Sequence, residues 1–93
     1  MDDKITKQKL EKYFEITDEA LEKVKKSVAK GKRSYAKEII DMVSNYLSDA
    51  KHYEKNNDLD NAFAAINYAH GWLDAGVRLD VFNVSDNKFF TIK

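Results

Sequence analysis

Hydrophobic positions recur at spacings of three and four along most of this chain, the period that gathers side chains on one face of an α-helix. Leu10, Tyr13, Phe14, Thr17, Leu21, Val24 and Val28 hold one such face and predict a first helix over about 5–29. Tyr35, Ile39, Met42, Val43, Tyr46, Ala50 and Tyr53 predict a second over about 35–56, backed by polar Lys37, Asp41, Ser44, Ser48 and Lys51. A third, over about 59–79, carries two apolar stripes. Ala62, Ile66, Ala69, Leu73, Gly76 and Val77 make the first; Ala65, Tyr68, Trp72, Ala75 and Leu79 make the second. An arc this wide asks for shelter on two sides, so the expected fold is all-α, an antiparallel three-helix bundle with the third helix at its centre. Its small residues Ala62, Ala65, Ala69 and Gly76 allow neighbouring backbones to come close.

Residues at the expected helix ends support these boundaries. Gly31 is expected as a left-handed cap for the first helix, and Lys23, Lys25, Lys26 and Lys30 before it suit the negative end of a helix dipole. Ser34 is expected to cap the start of the second helix. Asn57 tolerates left-handed geometry at its end, and Asp58 then caps the third, which makes the last two helices a hairpin. Beyond Leu79 the pattern changes to Val81-Phe82-Asn83-Val84, a turn at Ser85-Asp86-Asn87, and Phe89-Phe90-Thr91-Ile92. This predicts a short extended or β-hairpin tail over 80–93, its aromatics folded over the Trp72 stripe or paired with another subunit.

At 93 residues the chain is read as a single domain, 1–93. Its 16 basic and 16 acidic residues cancel, so any charged partner must be met by a local patch. There is no cysteine, which excludes disulfides, thiolate zinc sites and cysteine nucleophiles. The start Met1-Asp2-Asp3-Lys4 lacks an apolar leader and no run of about 18 apolar residues occurs, so the expected setting is cytoplasmic, with no membrane partner.

On the third helix, Asn67, Gly71, Asp74 and Arg78, with His70 at the border, form one polar strip. One reading is a recognition surface in which His70 and Asp74 offer hydrogen bonds and Gly71 admits a partner backbone. The plainer one holds His70 half-buried against Asp74 or against Asp49 of the facing helix, with Asp74 and Arg78 as a surface ion pair. Gly71 is harder to explain plainly, because a mid-helix glycine costs about 1 kcal/mol relative to alanine. Either a partner needs the space or another segment crosses there.

Asp49, His52, His70 and Asp74 are the available metal ligands, but they show no paired His or Glu-x-x-His spacing, and neither metal nor cofactor is expected. No glycine-rich elbow or phosphate loop surrounds a serine or threonine. Lys23, Lys25, Lys26, Lys30, Lys32 and Arg33 form the one basic patch, interleaved with Glu19 and Glu22 and read as lacking nearby aromatics for base stacking.

The run Asn67-Tyr68-Ala69-His70-Gly71-Trp72-Leu73-Asp74-Ala75-Gly76 resembles the signature of a mostly archaeal family of small helical proteins, domain of unknown function family 357. Tyr46-Leu47-Ser48-Asp49-Ala50, Asn57-Asp58 and Ala62-Phe63 extend the likeness over the second and third helices. The resemblance implies a compact helical fold in an archaeal cytosol and no defined activity; matched residues backed as a site are Asp49, Asn67, His70 and Asp74. Where the family pattern often carries glycine, between the second and third helices and after the stretch ending in Leu79, this chain has Asn57 and Asp80.

The leading expectation is a non-enzymatic protein-interaction module using the strip, with homo-oligomerisation through the Trp72 face and the tail as a secondary one. An RNA-associated protein using the basic patch is the alternative. An enzyme built on His70 and Asp74 comes third.

Overall fold

The computed structural model describes residues 5–85. It is all-α, with helices α1 (Lys7–Lys25), α2 (Arg33–Lys55) and α3 (Leu59–Arg78). Thr6 starts α1, its hydroxyl accepting the Lys9 N–H at 3.1 Å. Asp58 starts α3 in the expected way, accepting the Asn61 N–H at 3.3 Å. Two other expected caps are corrected. α1 stops at Lys25, well short of Gly31, and Gly31 (φ 79°) serves a turn closed by the Lys32 N–H on the Ala29 carbonyl at 3.1 Å. Such a turn needs a positive φ at its third residue. α2 begins at Arg33 with Lys32 before it and no side-chain cap, so Ser34 lies inside the helix.

The ends of α2 and α3 are built alike. Asn57 (φ 60°) and Asp80 (φ 61°) take left-handed backbone. After α2, the Asp58 N–H reaches the Tyr53 carbonyl at 2.8 Å and the Asn57 N–H reaches Glu54 at 2.9 Å. After α3, Val81 reaches Gly76 at 2.9 Å and Asp80 reaches Val77 at 3.1 Å. Both are Schellman turns, which satisfy the helix's last carbonyls through one left-handed residue. Glycine takes this left-handed geometry most readily, so Asn57 and Asp80 each occupy a place that suits glycine.

α3 packs against both other helices, while α1 and α2 touch little. Tyr46 stacks on Tyr68 with ring centroids 5.5 Å apart, and Ile39 lies beside Gly76, so α2 and α3 run in opposite senses. Tyr13 meets Phe63 edge-on at 5.0 Å and Thr17 meets His70, so α1 follows the sense of α3. The core is Leu10, Phe14, Ala20, Leu21 and Val24 of α1; Ala36, Ile39, Val43, Leu47 and Ala50 of α2; and the first stripe of α3. Ala36 and Leu47, rather than Tyr35 and Tyr53, complete the buried seam of α2. Of the second α3 stripe only Ala65 is buried; Tyr68 (63% exposed), Trp72 (39%) and Leu79 (70%) face outward, against the expectation that both stripes are sheltered.

The described residues after α3 are extended, one of the two forms expected, but they do not lie over Trp72. Val81–Ser85 runs as a strap along the α1–α2 connection, with Val28 and Phe82 bridged in antiparallel fashion. The Ala29 N–H bonds to the Val81 carbonyl at 2.9 Å, and the Asn83 N–H to the Ser27 carbonyl at 2.6 Å. Phe82 is 1% exposed and packs over Gly76, on the inner side of α3 rather than over Trp72. The remainder of the predicted hairpin, including Phe89, Phe90 and Ile92, lies outside the described residues.

Candidate functional site

The polar strip read from the sequence divides when placed on the structure. His70 and Asp74 turn toward α1. The His70 ring Nε2 lies 3.8 Å from an Asp74 carboxylate oxygen, and Nδ1 lies 3.4 Å from the Thr17 hydroxyl. Thr17 is the one buried polar residue in the core among those described, so this contact satisfies a hydroxyl that would otherwise be costly to bury. Both side chains are half-buried, and the pair is used in joining α1 to α3. Asp49 does not reach it. It stands on the opposite flank of α3, exposed, beside a crevice lined by Tyr46, Tyr53, Asn61, Ala64 and Tyr68. The expected ion pair between Asp74 and Arg78 does not form; Arg78 is exposed and has no ionic partner among the described residues.

Asn67 and Gly71 point outward with Arg78. Among the described residues a Cβ built on Gly71 would meet nothing within 4 Å, so no described segment crosses there and packing among them does not account for the glycine. Around it Asn67, Tyr68, Trp72 and Ala75 line a shallow, mainly apolar hollow. Ala64, Gly71 and Ala75 keep the floor low, while Tyr68, Trp72 and Leu79 stand up along the α2 side. Asn67, Asp60 and Arg78 border the α1 side. An indole left about two-fifths exposed and a phenol left nearly two-thirds exposed, next to a floor without bulk, make a surface onto which another helix or an extended chain can be laid. Helical spacing alone puts Tyr68 and Trp72 in the core or at its edge. It could not tell which of two stripes the fold would cover.

The basic patch also divides. Lys23, Lys25 and Lys26 sit at the end of α1 with Asp18, Glu19 and Glu22, and Lys25 pairs with Glu22 at 3.1 Å. Lys30, Lys32 and Arg33 belong to the turn before α2. Here an aromatic overlooked from sequence is present: Tyr35 is 64% exposed, with the Lys32 ammonium 5.7 Å from its ring centroid. Its heptad-like position made it look buried. Lys37, one turn on from Arg33, pairs with Asp41 at 3.7 Å.

Among the described residues no three His, Cys, Asp or Glu side chains converge on a point where a metal could sit. His52 is taken up locally, its ring 3.3 Å from the Asn56 amide. No described helix is long and apolar enough to cross a membrane.

No curated protein and no solved structure matches the chain. A family model matches residues 12–82, which takes in most of α1, both other helices and the strap as far as Phe82. The chain belongs to the family described as Protein of unknown function (DUF357).

Proposed function

We propose that this protein is a non-enzymatic protein-interaction module that docks through the outer face of α3. The observation that carries the reading is Gly71, a mid-helix glycine with open space in front of it, set between exposed Tyr68 and Trp72. A glycine there costs about 1 kcal/mol relative to alanine, and nothing among the described residues offsets it. A partner backbone brought close to the helix does. Asn67 and Arg78 supply polar contacts at the border of this surface, and exposed aromatics with an arginine are the residue types that dominate binding energies. His70, Asp74 and Asp49 leave the binding set on this reading: the first two support α3 from behind, and the third faces another crevice.

A second reading, association with RNA, is favoured by Tyr35. An exposed ring beside Lys30, Lys32 and Arg33 combines base stacking with phosphate attraction. The two readings separate in one experiment. Affinity capture from lysate of the source organism, with and without ribonuclease, would compare wild type with Gly71→Leu and Tyr35→Ala. The first reading expects a protein retained after ribonuclease and lost with Gly71→Leu. Capture that disappears with ribonuclease and with Tyr35→Ala, but ignores Gly71→Leu, would transfer the function to RNA.

A further inference from the structure

We infer that the partner laid on the outer face of α3 is a second copy of the same chain, packed with its own α3 running in the opposite direction. This rests on the reading of that face as an interaction surface and adds the identity of the occupant. The symmetry of the face about its own midpoint points to this occupant. Asp60 and Arg78 are 18 positions apart, five whole turns at 3.6 residues per turn, so they stand on one line about 27 Å apart. Both are exposed, in the first and last turns of α3, with opposite charge. Between them the residues pair off around the same centre. Ala64 matches Ala75, Asn67 matches Gly71, and Tyr68 matches Trp72, each pair centred near position 69 or 70.

A two-fold axis through that centre, perpendicular to the plane of two antiparallel helices, carries each flank of one helix onto the same flank of the other. The charged flank therefore meets the charged flank, and Asp60 of each copy faces Arg78 of the other, twice. The aromatic flank meets the aromatic flank, placing Tyr68 of one copy by Trp72 of the other. The low floor of Ala64, Gly71 and Ala75 lies at the crossing, where small residues let helices approach. A parallel arrangement would instead set aromatic flank against charged flank and bring like charges to the same end. Reversal also sets the positive end of each α3 beside the negative end of its mate. Asp74, the other charge near this flank, is half-buried and turned to His70. One helix face buries less than a standard interface, so the dimer is expected to be weak, with a dissociation constant on the order of micromolar.

Sedimentation of the full chain from micromolar to millimolar concentration at low salt tests this. Wild type should shift from one chain to two as concentration rises. Asp60→Arg and Arg78→Asp should each weaken the dimer about tenfold, because each puts like charges at both symmetric contacts, and the double exchange should restore it. As the chain has no cysteine, register can be read directly: an equal mixture of Ala64→Cys and Ala75→Cys chains should form the mixed disulfide in preference to either like pair. A one-chain mass throughout the range overturns the inference, and so does association indifferent to the charge exchange. Gly71-dependent capture of a different protein, with the chain itself monomeric, would overturn the second copy as occupant while leaving the interaction face standing.

Discussion

Two glycines five positions apart on α3 are used in opposite ways. At Gly76 an added Cβ would lie 2.5 Å from Phe82 Cε2, 2.8 Å from its Cδ2 and 3.1 Å from Ile39 Cδ1. At Gly71 it would meet nothing within 4 Å. Both give up the same helix propensity. Gly76 gains by letting the Schellman turn at Asp80 fold Phe82 back across the helix, which seals the core and pins the strap to the α1–α2 connection. Gly71 has no such return among the described residues, and its neighbours Tyr68 and Trp72 are exposed. A glycine in a helix thus points to whatever approaches it, and on the outer face that is something other than this chain's described residues.

Phe82 carries the largest expected effect. Phe82→Ala should cost about 3–5 kcal/mol, the range for emptying a buried aromatic site, as measured by denaturant unfolding; a loss under about 1 kcal/mol would mean that the strap is not part of the core. Gly76→Ala should cost about 1–3 kcal/mol despite the better propensity of alanine, because the methyl is forced into the Phe82 ring. Combining it with Phe82→Leu should return part of the loss, and full additivity would contradict the contact. Gly71→Ala should do the reverse in dilute protein, raising stability by about 1 kcal/mol, or roughly 4–8 °C in the unfolding midpoint. A decrease would show that the outer glycine is under an internal constraint. The smallest effect concerns the turns: Asn57→Gly should be neutral or stabilising by about 0.5 kcal/mol, since relief of left-handed strain exceeds the entropy glycine adds to the unfolded chain. A loss above about 1 kcal/mol would mean that the Asn57 side chain itself is needed.

Much of this architecture was legible in the sequence, and the misses share a cause. The three helices, the cap at Asp58 and the left-handed Asn57 follow from local rules, which depend only on neighbours along the chain. The inner stripe of α3 was legible too, because a full row of apolar residues has one sensible destination. Periodicity could not decide how far each face is covered, which depends on where the other elements end up. Hence periodicity assigns Tyr46, Tyr53, Tyr68 and Trp72 alike to the core or its edge, although Tyr53, Tyr68 and Trp72 are exposed; Tyr35, on the expected inner face of α2, is exposed too, and Leu47, absent from that face, is buried. α1 stops early because Ser27–Ala29 pairs with the strap, a contact between residues more than 50 positions apart that no local signal announces. At the candidate site, Gly71 stood out by its cost alone. The separation of His70 and Asp74 from Asn67 and Arg78 required knowing on which side α1 lies.

Gly71→Leu, measured for both stability and association, probes the open outer face of α3. Leucine is a good helix former and has open space to occupy, so dilute protein should unfold at the same or a higher temperature than wild type, while self-association and capture of any partner protein are lost. Loss of thermal stability, or association undiminished by a leucine side chain in the middle of the face, would contradict the claim that the outer side of α3 is kept open for a partner.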